Sequence, residues 1–257
     1  MASFLGDPNF PSKLSNDDTT RGIKIGFYED LYRQYTRLEF TRISDRPIAI
    51  AGLERRLIRD LKAQGGFGVF DDGRSLFQRS LLWQRGRRVP LMAKILPSSF
   101  FHVPSWSWMA YDGGIDFLDL PPGGVHWLTD AITSPWATSG ADAWHTGDGQ
   151  EFVDLKAQAW GFTPAHGAMA PDDEMELVFD TQDMAQLEGQ DLMCVVLGME
   201  KKKCVIGERA HFVLVIAMSK ERLVPNEGNK VYERVGVGQI KGKYLDKESS
   251  PKAVTIR

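Results

Sequence analysis

Phe212-Val213-Leu214-Val215-Ile216-Ala217-Met218 is the longest apolar stretch in the chain. It is far too short to span a bilayer, and as a continuous apolar run it reads as a buried strand. Leu192 to Leu197 reads the same way. Asn226-Glu227-Gly228-Asn229 has the composition of a hairpin turn, which pairs the 212–218 run with a strand over Val231 to Ile240. Further out, Phe152-Val153-Asp154-Leu155-Lys156-Ala157-Gln158-Ala159-Trp160 alternates like a strand with one wet face. Met175 to Phe179 and Ala253 to Ile256 complete the set. From about residue 100 onward the chain therefore reads as β-rich.

The N-terminal third has a different period. Residues 1–26 read as a flexible arm, loosest over 1–24, where Pro, Asp, Asn, Ser and Thr accumulate. Phe27, Leu31 and Tyr35, with Tyr28 and Tyr32 beside them, predict an amphipathic helix over about 27–38. Ser44 or Asp45 can cap a second helix, with Pro47 in its first turn. Ile50, Leu53, Leu57 and Leu61 share one face of it. Glu54, Arg55, Arg56 and Arg59 fall largely elsewhere, and Gly65-Gly66 ends it. A shorter helix is expected from Ser75 to Gln84. The expected fold class is α+β: a helical part over about 27–90 packed on a sandwich or barrel-like part over about 100–257, together one domain. Residues 133–150 and 163–174 read as surface loops. Trp136 and Trp144 in the first are either lids over a pocket or plugs on the core. No internal repeat is found.

Composition narrows the function classes. With 257 residues, 42% of them hydrophobic, the chain can bury a sizeable core. A net charge of −3 argues against a polyanion-binding surface, hence against nucleic acid as a partner. Cys194 and Cys204 form neither a disulfide framework nor a CxxC pair and read as buried thiols in a reducing compartment. Met1-Ala2-Ser3-Phe4-Leu5-Gly6-Asp7-Pro8 lacks a basic region followed by a long apolar run, so it is not a signal peptide. The expected location is the cytoplasm, with no membrane span.

Three stretches are distinctive as a set. The first is Tyr35-Thr36-Arg37-Leu38-Glu39-Phe40-Thr41-Arg42-Ile43-Ser44-Asp45-Arg46-Pro47-Ile48-Ala49-Ile50-Ala51-Gly52-Leu53. The second is Ser80-Leu81-Leu82-Trp83, followed by Pro104-Ser105-Trp106-Ser107-Trp108 and Asp112-Gly113. The third is Tyr232-Glu233-Arg234-Val235-Gly236-Val237-Gly238. In this order and at this spacing, over roughly 27–257, the chain resembles the region downstream of the HET domain in fungal heterokaryon-incompatibility proteins. In that family the HET domain precedes this region and is linked to cell death after non-self contact. The 26 residues before Phe27 are too few to encode it, so the resemblance implies the scaffold without its presumed effector. It carries over no catalytic residues.

The candidate site residues follow from chemistry alone. Trp106 and Trp108 are two apart, so on a strand they face the same way. With Trp83 they form either an aromatic core or the wall of an apolar ligand pocket. Tyr111-Asp112-Gly113-Gly114 reads as a turn after a strand, or places the Tyr111 phenol at a pocket mouth. None of His102, His126, His145, His166 and His211 stands at a metal-ligand spacing. His126, beside Trp127 and after the Pro121-Pro122-Gly123-Gly124 turn, is the strongest candidate among them for acid–base work. Arg79, on a short apolar helix, is placed to clamp a carboxylate if it faces inward. Arg42, Asp45 and Arg46 read as a salt-bridge network at a helix start, with Asp45 complementing the dipole. No dinucleotide fingerprint, P-loop or nucleophile elbow is present, so no cofactor is expected.

Two functions fit these expectations. One is binding of a hydrophobic small molecule in an aromatic pocket, extending to a cofactor-independent cyclase of pericyclic or Diels–Alder type in fungal terpenoid or polyketide biosynthesis. There Trp83, Trp106, Trp108 and Trp127 form walls, and Tyr111, His126 or Arg79 polarises the substrate. The other is a non-enzymatic interaction or regulatory module with a protein partner.

Overall fold

The computed structural model describes residues 20–95, 102–136, 153–161, 175–181, 184–187, 189–201, 205–219, 230–246 and 250–257. Helix α1 (Arg21–Tyr35) opens them, so Arg21 to Gly26 belong to a helix rather than to the expected arm. Arg21 ties this helix start to Asp72 at 2.6 Å. The buried face is Tyr28, Leu31, Tyr32 and Tyr35. Helix α2 (Arg46–Leu61) carries Pro47 in its first turn, as the sequence predicts, while Asp45 makes no side-chain capping bond. The helix ends at Lys62, which takes the left-handed conformation. Gly65-Gly66 therefore does not stop the helix.

Instead those glycines enter a hairpin that periodicity does not reveal: β1 (Gln64–Gly66) pairs with β2 (Val69–Asp71). Its two-residue turn, Phe67 and Gly68, has φ of 55° and 77°, the positive angles that a type I′ turn needs. The helix expected over Ser75–Gln84 is only α3 (Leu76–Ser80), and the chain then turns extended into β3 (Trp83–Arg85). Short strands follow: β4 (Ala93–Lys94), β5 (Tyr111–Asp112), β6 (Ile115–Phe117), β7 (Val125–Trp127) and β8 (Ile132–Thr133). Strand β3 pairs with β6, and β4 with β5. The N-terminal third is thus helical only in part. Helix α1 packs on β6 and α2 on β1, so small two-stranded sheets lie against the helices.

The large sheet has eight strands. Beyond β7 and β8 it comprises β9 (Leu155–Gly161), β10 (Met175–Phe179), β11 (Leu192–Glu200), β12 (Ala210–Met218), β13 (Val231–Lys241) and β14 (Lys252–Ile256). Pairing runs β11–β12–β13–β14–β9, and β9 returns to β11 through Met193↔Gly161 and Val195↔Ala159. That pairing closes a ring of five strands. Every neighbour is antiparallel except β13 and β14. The 212–218 and 231–240 strands pair as expected; their connecting turn lies outside the described residues. A short helix, α4 (Met184–Leu187), precedes β11.

The continuous apolar runs now have a cause. Met193, Val195, Leu197, Phe212, Leu214 and Ile216 share a core with Leu155, Ala157, Val254 and Ile256 on one face. Cys194, Val196, Val213, Val215 and Ala217 meet Phe179, Leu187 and Ile240 on the other. Strands buried on both faces leave no polar alternation to read. A third core joins the buried faces of α1 and α2 to Phe70, Trp83, Trp108 and Phe117. Strand β10 lies so close over β13 that a Cβ at Gly236 or Gly238 would stand 2.7 Å or 2.0 Å from a β10 carbonyl oxygen. Among the described residues no helix is long and apolar enough to cross a membrane.

Candidate functional site

The segment Pro104-Ser105-Trp106-Ser107-Trp108 is not a strand, so the spacing of two does not give its tryptophans a shared face. It turns, with Ser107 N–H donating to the Pro104 carbonyl at 3.0 Å, and enters a 3-10 turn over Trp108–Ala110. Ser107 caps that turn by accepting from Met109 N–H at 3.0 Å while donating to the Phe67 carbonyl at 2.6 Å. The two indoles therefore leave in different directions and serve different cores. Trp106 meets Phe67 and Trp136 edge-on, at 5.8 Å and 6.2 Å between ring centroids. Trp108 lies 4.9 Å from Tyr32 and 5.3 Å from the Arg46 guanidinium. Trp83, Trp106 and Trp108 each have 0% of their surface exposed. Such a side chain borders no space that admits water, so these residues stand as core rather than as open walls. Trp136 is likewise buried, a plug rather than a lid; Trp144 lies outside the described residues.

Between the cores sits Arg234, which the sequence reading leaves without a role. Strand β13 carries a bulge against β12: Val215 pairs with Gly236, and Ile216 with Arg234. Val235 is the extra residue, and Arg234 is buried with the same parity as Tyr232 before it and Gly236 after it. Its guanidinium donates to both oxygens of Asp180, at 2.9 Å and 3.2 Å, and to the carbonyls of Leu81 and Trp83, at 2.9 Å and 2.5 Å. It also lies 3.3 Å from the centroid of the Trp83 ring. A buried charge persists only when paired and hydrogen-bonded in this way. Burial pushes the Asp180 carboxyl above its ordinary range, opposed by the charge of Arg234. Ser105 completes the junction, accepting from Arg234 N–H at 3.0 Å and donating to the Arg257 carbonyl.

The polar candidates are spread over the molecule. Tyr111 is buried; its hydroxyl donates to the Ser105 carbonyl at 2.9 Å. Burial raises its pKa well above the ordinary phenol value, so the group is a neutral donor already in use. Arg79 does clamp a carboxylate, but an internal one: Glu29 of α1, at 2.7 Å. His126 is exposed on β7, which pairs with β11, and Trp127 beside it is half-buried against the core. Arg46 is buried and donates to the carbonyls of Tyr111, Gly113 and Thr36, at 2.7 Å, 2.9 Å and 3.3 Å. The expected salt-bridge network at this helix start is, for Arg46, a carbonyl clasp. Glu54, expected off the apolar face of α2, is fully buried and accepts from Gly68 N–H at 2.5 Å. His145, His166 and Cys204 lie outside the described residues. Among those described, no group of three His, Cys, Asp or Glu side chains is arranged to hold a metal.

A concavity also exists, and none of these candidates lines it. An open trough of about 520 Å³ runs along β14 and its neighbours, bounded by Lys156, Asp191, Lys230, Tyr232, Lys252 and Thr255, among others. Its walls are polar and contain no tryptophan. Sequence reading places Lys156 on the wet face of a strand but offers no clue that Lys230 and Lys252 join it, because β13 and β14 meet through only a short parallel register.

No known protein family, no curated protein and no solved structure matches the chain.

Proposed function

We propose that the chain is a non-enzymatic interaction module of the heterokaryon-incompatibility type, a one-domain cytoplasmic protein whose helical part packs on a barrel-like part. One observation carries this reading. The side chains suited to chemistry are committed to holding the fold: Tyr111 to Ser105, Arg79 to Glu29, Arg234 to Asp180. Of the polar candidates His126 is the exposed one, while Tyr111 is buried and the half-exposed Arg79 is held by Glu29. General acid–base work needs such groups convergent on one space. The test is direct binding of the purified chain to full-length heterokaryon-incompatibility proteins, by co-elution and calorimetry. A stoichiometric complex is expected. Absence of any complex, with the chain folded and monodisperse, overturns the reading.

The competing proposal is a cofactor-independent cyclase that takes a hydrophobic terpenoid or polyketide. What favours it is the edge-on cluster of Trp106 with Phe67 and Trp136, a surface that would suit an apolar ligand if uncovered. A thermal-shift screen against hydrophobic fungal metabolites separates the two, since a ligand of the native state raises the melting temperature by mass action. The interaction module predicts no shift. A shift accompanied by tryptophan quenching and turnover would establish the cyclase instead.

A further inference from the structure

The trough along β14 has a chemistry that the interaction reading does not specify. Thr133, Lys156, Thr255 and Val231 are direct cross-strand partners, so they form one row across β8, β9, β14 and β13. Directly opposed residues share a face. The Lys156 ammonium donates to Thr255 Oγ1 at 2.8 Å, which holds it along this row. Two residues along the strands, on the same face, Gln158 pairs with Ala253, whose side chain is small. Lys230 and Lys252 are exposed and border the same trough. Three lysines and two aspartates, Asp130 and Asp191, line it. The local balance is therefore positive, 3 − 2 = +1, on a chain whose formal charge is −3.

We propose that this trough binds a short acidic peptide segment of a partner protein. It is partly open to solvent, whereas small-molecule sites enclose most of their ligand, which favours a peptide segment over a small metabolite. Its charge favours carboxylates spaced along a chain. The two aspartates keep the excess too small for a nucleic-acid backbone, which needs many cations along one track, and they would discriminate against misregistered acidic side chains. The threonines and Gln158 supply hydrogen bonds to a peptide main chain. This inference rests on the interaction-module reading and names its contact surface.

The test uses the full chain and an acetylated, amidated hexapeptide of alternating Glu and Ser, titrated by calorimetry at low and near-physiological salt. The expected result is saturable binding that weakens with salt, with no binding by the same peptide carrying Gln for Glu. Lys156→Glu and Lys252→Glu should each weaken it by about tenfold or more. Asp191→Asn should tighten it, a gain that misfolding cannot produce. Free glutarate binding as tightly as the peptide would assign the trough to small anions and overturn the proposal. So would no binding, or binding indifferent to the lysines. If Lys156→Glu and Lys252→Glu still bind a full-length partner undiminished, the trough is refuted while the interaction reading stands; loss of complex with the wild-type chain refutes both.

Discussion

Gly68 shows how much a single position carries. Its φ is +77°, and an added Cβ would stand 2.1 Å from Trp108 Nε1. Gly73 has nearly the same backbone, φ +71°, with nothing within 4 Å of an added Cβ. Gly73→Ala should therefore cost only the backbone strain, about 1 kcal/mol. Gly68→Ala adds overpacking against an immobile indole, for a total of more than about 2 kcal/mol. Urea denaturation of the two variants checks the difference; equal losses would show that Trp108 yields. Arg234 offers the second residue-scale prediction. Removing one partner of a buried, hydrogen-bonded pair leaves a charge stranded, so Arg234→Met or Asp180→Asn should each destabilise by about 3–5 kcal/mol. The double variant should recover part of that loss, read from the same denaturation curves. Neither Arg234 nor Glu54 was legible as buried, because a polar residue on a strand or helix reads as solvent-facing until its partner is known. Asp180 is 54 positions from Arg234, too far in sequence for the pairing to be read from either residue.

At the scale of elements, the serines of Pro104-Ser105-Trp106-Ser107-Trp108 do as much as its tryptophans. Ser105 joins this turn to β13 and to Arg257, and Ser107 joins it to the β1–β2 hairpin. Ser107→Ala leaves the Phe67 carbonyl and the Met109 N–H, both buried, without these bonds and should cost about 1–3 kcal/mol. Exchange of the Met109 amide proton should accelerate with it. Unchanged protection would mean that the turn stands without its cap. Sequence reading succeeded on β11 and β12, where burial on both faces writes a nearly unbroken apolar run, and on β13, which the hairpin expectation pairs with β12. It failed on Trp106 and Trp108, where a spacing of two suggests a shared face. The turn after Pro104 breaks that period, and the rings enter separate cores. The β1–β2 hairpin was missed for a related reason: Phe67-Gly68 is a weaker turn sequence than Asn-Gly, and the glycines before it also suit a helix stop.

For the molecule as a whole, the aromatic cores set a pH dependence. Burial raises the phenol pKa of Tyr28, Tyr32, Tyr35 and Tyr111, that of Tyr35 to about 12. The folded state thus holds these protons more tightly than the unfolded chain, whose tyrosines titrate near 10. The sign follows: their contribution to stability is complete below about pH 10 and is lost as pH rises towards the folded values. Phenolate absorbance should show these four groups ionising together with unfolding rather than before it. The Cys194 thiol, pushed to about 12 by burial, should resist alkylation at pH 8 until the chain is denatured. Both expectations share a cause with the central claim, that the residues marking this chain build its cores. Native-state hydrogen exchange of the indole N–H protons tests that claim most directly, residue by residue. The Trp83 and Trp106 indoles donate to internal carbonyls at 2.9 Å and 3.2 Å and should exchange only through global unfolding. Exchange at a rate independent of global stability, or changed by an apolar ligand, would show that these rings line an accessible pocket and would contradict the account.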